Sequence, residues 1–287
     1  MLPIRTDEIW HLTDKDLVNV TLKVFRLQYH NNQLYRQFVD HLNRCPTRIN
    51  SLEQIPFIPI SFFKKHKIKT THFEPEIIFQ SSGTTGANTS RHFVKDIHLY
   101  QQSFVTAFEL FYGPMQNYCI LGLLPSYLER GNSSLIFMVK GLMELSGHKL
   151  NGFYLKDFEK LSETLSQLEE RKQKTLLIGV TYALLDFAAQ YSMSLRHTII
   201  IETGGMKGRK EEMIRSEVHE QLRKDFGVQE IHSEYGMTEL LSQAYSRTAG
   251  RFRTPPWMKV LIRDEDDPLM VSGEPENAVT GAINVID

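Results

Sequence analysis

Residues 79–86 read Phe79-Gln80-Ser81-Ser82-Gly83-Thr84-Thr85-Gly86, on the end of the apolar run Ile77-Ile78-Phe79. Glycine tolerates backbone dihedrals that aim several N–H groups at one anion. The hydroxyls of Ser81, Ser82, Thr84 and Thr85 add donors that rotate to suit. A polyphosphate matches that donor set. The commoner nucleotide loops do not fit. No Lys follows Gly86, so GxxxxGK[ST] fails, and GxGxxG is absent, which argues against a dinucleotide enzyme. The plain alternative is a Ser/Thr/Gly-rich surface turn.

Outward from this loop the pattern alternates. A helix is expected from Asp96, carrying Ile97, Tyr100, Phe104, Phe108 and Phe111 on one face. Strands are expected over 118–124, 175–180, 198–201 and 228–232. Helices are expected over 135–145, 157–172, 181–191 and 210–226. Strands that alternate with helices build βαβ units and a largely parallel sheet, so the class is α/β. Beyond residue 239 the runs 240–247, 258–263, 269–272 and 282–286 are strand-like. Turn residues such as Asp264-Glu265-Asp266-Asp267-Pro268 join them, which reads as an antiparallel lobe.

Upstream, Leu17, Val20, Val24, Leu27 and Gln28 fall at helical spacing. Leu34, Tyr35, Phe38, Val39 and Leu42 mark a second helix. Ser51 to Gln54 has capping-box spacing, and Pro56 and Pro59 then break any regular element. The expected organisation is a helical collar over 1–75, an α/β core over 76–239 and a β-rich lobe over 240–287. The chain stops at Asp287 directly after a strand-like run, which suggests a missing C-terminal portion.

Composition narrows the class. The chain has 287 residues, 41% hydrophobic and 23% charged, with a net charge of -1. That is ordinary for a globular protein, and it lacks the basic excess of a nucleic-acid binder. No apolar run approaches the roughly 20 residues of a membrane span. The N-terminus lacks a signal-peptide pattern. Cys45 and Cys119 are too few for a disulfide framework, so a reducing cytoplasm is expected.

A second stretch, Glu234-Tyr235-Gly236-Met237-Thr238-Glu239, follows the expected strand 228–232. Taken with Ser82-Gly83-Thr84-Thr85-Gly86, in this order, it resembles the paired signatures of the adenylate-forming enzymes: acyl- and aryl-CoA ligases, adenylation domains and firefly-type luciferases. The resemblance implies the large N-terminal domain of that fold, with parallel sheets flanked by helices and the C-terminal domain absent. It implies that the first loop grips the β- and γ-phosphates of ATP. Arg91 takes the place of the family's usual Lys, with Lys95 behind it. It implies that Thr238 contacts the α-phosphate and that Glu239 helps hold Mg2+. A single carboxylate suffices where phosphates and water supply the other ligands. Gly204-Gly205 in Glu202-Thr203-Gly204-Gly205 is similar to the turn that lies against adenine and the acyl group; a plain βα turn is the alternative. Tyr235, Gly236 and Met237 would line the same site. Tyr127 and residues 178–182 match positions near the acyl pocket, with simple packing as the alternative for Tyr127.

Within the superfamily the chain resembles the acyl-protein synthetases, also called long-chain-fatty-acid–luciferin-component ligases. Residues 55–64 (Ile-Pro-Phe-Ile-Pro-Ile-Ser-Phe-Phe-Lys), Ser90-Arg91, residues 124–130 (Leu-Pro-Ser-Tyr-Leu-Glu-Arg), Gly204-Gly205-Met206-Lys207-Gly208 and Tyr235 to Leu240 carry that resemblance. It implies ATP, Mg2+, a fatty acid, and transfer of the acyl group through a protein thiol to an acyl-accepting or reductase partner. The family's acceptor cysteine lies beyond Asp287, and Cys45 and Cys119 read as inert. The superfamily's ribose-binding Asp and mobile Lys have no match. A CoA ligase for a fatty or aryl acid is the alternative within ligases. A non-catalytic nucleotide-binding scaffold is the alternative of another class.

Overall fold

The computed structural model describes residues 6–81, 89–124, 132–155, 157–205, 213–272 and 280–287. The chain divides into two compact units. The first comprises residues 1–103, 239–242 and 254–287; the second comprises 104–238 and 243–253.

The first unit opens with α1 (Thr6–Ile9), α2 (Asp14–Asn31) and α3 (Gln33–His41). Thr13 starts α2 with a capping box: its hydroxyl accepts from Asp16 N, and the Asp16 carboxylate accepts from Thr13 N. This satisfies two of the backbone N–H groups that a helix start leaves unpaired. Asn32 closes α2 and caps α3, its side chain accepting from Tyr35 N. The buried face of α2 is Leu17, Thr21, Leu22 and Phe25. The expected stripe of Val20, Val24 and Leu27 lies only partly buried. Phe25 is long enough to reach the Tyr35 ring of α3, 6.1 Å away and edge-on, and that contact rotates the helix towards the aromatic side.

After α4 (Phe62–Lys65) come β1 (Ile77–Gln80) and β2 (Arg91–Val94), an antiparallel pair, and then α5 (Ile97–Tyr112). At the other end of the sequence, β10 (Lys259–Arg263) pairs antiparallel with β11 (Val271–Ser272) and β12 (Ala282–Ile286). Leu22, Phe25, Tyr35, Val39, Ile49, Leu52 and Ile55 form one core with Leu261 of β10. Removing a ring as buried as Phe25 would cost about 3–5 kcal/mol. Ser51 does not form a capping box. Residues Leu52–Gln54 make a single 3-10 turn without a side-chain cap, and the Gln54 side chain accepts from Asn50 N instead.

The second unit is built on a seven-stranded sheet. It contains β3 (Cys119–Leu123), β4 (Gly152–Phe153), β5 (Thr175–Gly179), β6 (Thr198–Glu202), β7 (His232–Tyr235), β8 (Ala244–Ser246) and β9 (Phe252–Arg253). The order is β4-β3-β5-β6-β7-β8-β9. The first five pair in parallel, while β8 and β9 are antiparallel. α6 (Ser134–Ser146), α7 (Phe158–Glu170), α8 (Thr181–Gln190) and α9 (Arg215–Phe226) are the connecting helices. β3 and β5 are buried along their whole length, as strands covered on both faces must be. The expected α/β class, with a parallel-dominated sheet and an antiparallel part after it, is what the chain forms. No helix among the described residues is long and apolar enough to cross a membrane.

Candidate active site

In the first unit, β1 and β2 are the two sides of a hairpin whose connection contains Ser82, Gly83, Thr84, Thr85 and Gly86. These five residues lie outside the described residues, as do Tyr127, Met206, Lys207 and Gly208. The stem is closed at its base. Ser81 N donates to Ser90 O at 3.1 Å, and Ser90 N donates back to Ser81 Oγ at 2.9 Å. Gln80 faces Arg91 in the ladder. Arg91 is exposed, with its guanidinium 5.9 Å from the Phe93 ring centroid. A charge so placed is anchored on an aromatic face and still open to an anion. A strand follows the loop, where GxxxxGK[ST] loops lead into a helix; the mismatch in sequence is also a mismatch in structure.

Glu239 is half-buried and starts a short stretch of the first unit, 239–242. That stretch is tied down at its far end. The Asp287 carboxylate accepts from Leu241 N at 2.6 Å and Ser242 N at 3.2 Å. The buried Ser242 hydroxyl accepts from Trp257 Nε1 at 3.0 Å and pairs with Ser103 Oγ at 2.9 Å. Among the described residues no group of three or more His, Cys, Asp or Glu side chains could hold a metal by itself. A divalent ion at Glu239 would therefore take its other ligands from phosphate and water.

In the second unit, Gly204, Gly205 and the stretch from Tyr235 to Thr238 follow the C-terminal ends of the neighbouring parallel strands β6 and β7. Open α/β sheets bind ligands beyond those strand ends. Gly204 and Gly205 have φ of +76° and +93°, a region that L side chains rarely adopt. A Cβ on Gly204 would meet nothing within 4 Å among the described residues. The turn is nevertheless pinned. Thr203 N donates to Gly179 O at 3.0 Å, and Thr181 N donates to Gly204 O at 3.1 Å.

The anchor of the turn is Glu202, the last residue of β6. It is 5% exposed. Its Oε1 accepts from Gly204 N at 2.6 Å and from the Thr181 hydroxyl. Its Oε2 lies 3.9 Å from His219 Nε2 of α9. The same His219 nitrogen is 3.2 Å from Ser233 Oγ of β7. Burial pushes the Glu202 carboxyl up, but the contacts from His219, Thr181 and Gly204, with the Arg215 charge, hold it below the usual range. A carboxylate that accepts several donors keeps its charge even when buried.

β7 leads straight into the second signature. Tyr235 is half-buried, with its ring edge-on to Phe252 at 6.1 Å and its hydroxyl 3.5 Å from Met237 Sδ. Gly236 is exposed; Met237 and Thr238 are half-buried. The strand runs from His232 to Tyr235 and not over 228–232. Its inward positions hold Ser233 and Glu234, buried polar groups that hide a strand from an apolar pattern. Neither Glu202, Ser233, Glu234 nor His219 was among the expected site residues. The available signal was a carboxylate at the end of the apolar run Thr198 to Ile201, just before two glycines.

The thiols differ sharply. Cys119 is buried in β3, and burial pushes its thiol up to about 12. Cys45 is exposed, and its hydrogen bonds with Thr47 lower it.

Comparison with known proteins adds two findings. The family model described as "Acyl-protein synthetase, LuxE" matches residues 11–280. Among solved structures, a mutant form of coronafacic acid ligase from Pectobacterium brasiliense is similar at 17% identity and a TM-score of 0.40. The similarity covers 58% of this chain and 33% of that one, so the chain spans about a third of that ligase's length. None of the curated proteins matches.

Proposed function

We propose, since the chain belongs to the LuxE acyl-protein synthetase family, that it activates a carboxylic acid with ATP. The acid's carboxylate attacks the α-phosphorus, an acyl-adenylate forms, and pyrophosphate leaves with its electron pair. A thiol then attacks the acyl carbon and AMP departs. A fatty acid is the proposed substrate, and a protein thiol, with an acyl-accepting or reductase protein as partner, is the proposed destination.

The observation that carries this reading is the family match over nearly the whole chain, with both signatures inside it. The local geometry supports it. The Ser81–Ser90 pair flanks the segment that contains residues 82–86, whose backbone N–H groups and hydroxyls would bind the β- and γ-phosphates. Arg91, exposed at the stem, neutralises charge there. Gly204 and Gly205, with no described side chain close over Gly204, offer backbone surface to a flat ring, and Tyr235, Gly236 and Met237 line the same part of the site. Thr238 binds the α-phosphate, where charge builds as the carboxylate attacks. Glu239 is the protein ligand for Mg2+, which supplies Lewis-acid stabilisation of the phosphate oxygens when bound.

The acceptor is decided by one labelling experiment. The chain is incubated with ATP, Mg2+ and a labelled long-chain fatty acid, with and without CoA. Hydroxylamine-sensitive label on an added thiol-bearing acceptor protein, independent of CoA, is the expected result. Label appearing only as a CoA thioester would replace the protein acceptor with CoA. No activated acid under either condition, with ATP bound, would favour a scaffold.

A further inference from the structure

Glu239 carries a half-buried carboxylate that no hydrogen bond or ion pair reaches among the described residues. The backbone directly after it, by contrast, is gripped at every step. Leu240 is 8% exposed. Leu241 N and Ser242 N both donate to one oxygen, Asp287 Oδ2, at 2.6 and 3.2 Å. Two successive N–H groups on one carboxylate make a charge-assisted grip of defined direction. The Ser242 hydroxyl, in a residue 1% exposed, accepts from Trp257 Nε1 at 3.0 Å and pairs with Ser103 Oγ of α5 at 2.9 Å.

Two of these grips come from one place. β10 and β12 pair antiparallel with Lys259 opposite Ile286. Trp257, two residues before that pair, and Asp287, one residue after it, therefore lie beyond the same end of the ladder. Trp257 is braced in turn by Trp10, whose ring is edge-on at 4.9 Å. All of these residues belong to the first unit.

We propose that Asp287 is a positioning residue for the Mg2+ ligand: its grip on Leu241 N and Ser242 N, locked by Trp257 through Ser242, fixes the backbone from which Glu239 projects and holds that carboxylate ready for the ion. This rests on the Mg2+ reading of Glu239 given above. Asp287 acts through the two N–H groups and not on the ion. A ligand held by its supporting contacts binds a metal without first having to be ordered. The competing account is a bond that only closes the end of the β10–β12 ladder. It predicts a stability loss with no effect specific to Mg2+.

The test is a double-mutant cycle on the full chain. Calorimetry gives ATP affinity with saturating Mg2+ and with a chelator, and their ratio is the Mg2+ gain. Glu239→Ala is expected to lower that gain about tenfold or more, and Asp287→Ala about tenfold, with chelated ATP affinity unchanged. Asp287→Asn, which keeps an acceptor oxygen for the two N–H groups, is expected to keep most of the wild-type gain. The variant carrying both alanines is expected to lose no more than Glu239→Ala alone, because Asp287 acts only through Glu239. Trp257→Phe removes the donor to Ser242 and keeps an aromatic ring; it is expected to lower the gain about threefold, the worth of one hydrogen bond. Losses that add in the double variant, or an Asp287→Ala loss equal with and without Mg2+, would overturn the inference. So would a wild-type gain in Asp287→Ala, or in Trp257→Phe where the alanine variant does not fold. A wild-type gain in Glu239→Ala would instead overturn the Mg2+ assignment beneath it. The expected cycle without pyrophosphate exchange would overturn the proposed reaction and leave this inference standing.

Discussion

Glu202→Ala puts the anchor of the Gly204-Gly205 turn to a direct test. The substitution removes the acceptor of two donors in a site that is 5% exposed, Gly204 N–H and the Thr181 hydroxyl. Each buried donor left unpaired costs about 1–3 kcal/mol, and relief from burying a carboxylate offsets part of the sum. The expected loss is about 3 kcal/mol. For a chain of this size that lowers Tm by about 6–10 °C. Glu202→Gln keeps a carbonyl oxygen in place of Oε1 and should lose about 1 kcal/mol, the difference between a charged and a neutral acceptor. The pH dependence has a definite sign. The folded carboxyl lies below its unfolded value, so its contribution is present above the ordinary glutamate range and is lost as pH falls through the lowered value. Glu202→Gln should flatten that acid limb. Differential scanning calorimetry across pH measures all three quantities. An alanine variant no less stable than the glutamine variant, or an unchanged acid limb, would refute the anchoring role.

Three further outcomes are expected. Glu239→Ala should lower pyrophosphate exchange about a hundredfold or more with an unchanged Tm, as its carboxylate is only half-buried; a variant with wild-type exchange would remove the Mg2+ assignment. Gly205→Ala should cost about 1–2 kcal/mol from its φ of +93° alone, because the nearest atom to a new Cβ is Val180 Cγ1 at 3.9 Å; chemical denaturation reads this, and no loss would mean the turn is not left-handed. A thiol reagent should label exposed Cys45 in the native protein and reach buried Cys119 only on unfolding, as peptide mass spectrometry would show; equal native labelling would contradict the burial of β3.

The sequence was most legible where burial is symmetric. β3 and β5 are buried along their whole length and β6 nearly so, and they read as apolar runs, so their positions and their parallel pairing follow directly. β7 was displaced in the reading because Ser233 and Glu234 occupy buried positions as polar groups. β2 was unread because Arg91 and His92 show no alternation; its pairing with β1 is fixed by a loop closed at Ser81 and Ser90. The α2 face was misjudged because the Phe25–Tyr35 contact belongs to two helices, and spacing within one of them does not encode it. The two signatures were legible as motifs. The residues that hold the flank of the second, Glu202, His219 and Ser233, were not, because they converge from three successive elements, β6, α9 and β7, and no spacing within one element encodes that contact. Sites that break local patterning in this way are expected where function sets the residue.

The central claim is tested most directly by acid-dependent ATP–pyrophosphate exchange, measured with a panel from acetate to long-chain fatty and aromatic acids. The account predicts exchange that requires Mg2+ and rises with a fatty acid, and that disappears in Glu239→Ala. ATP binding with no exchange for any acid would contradict it.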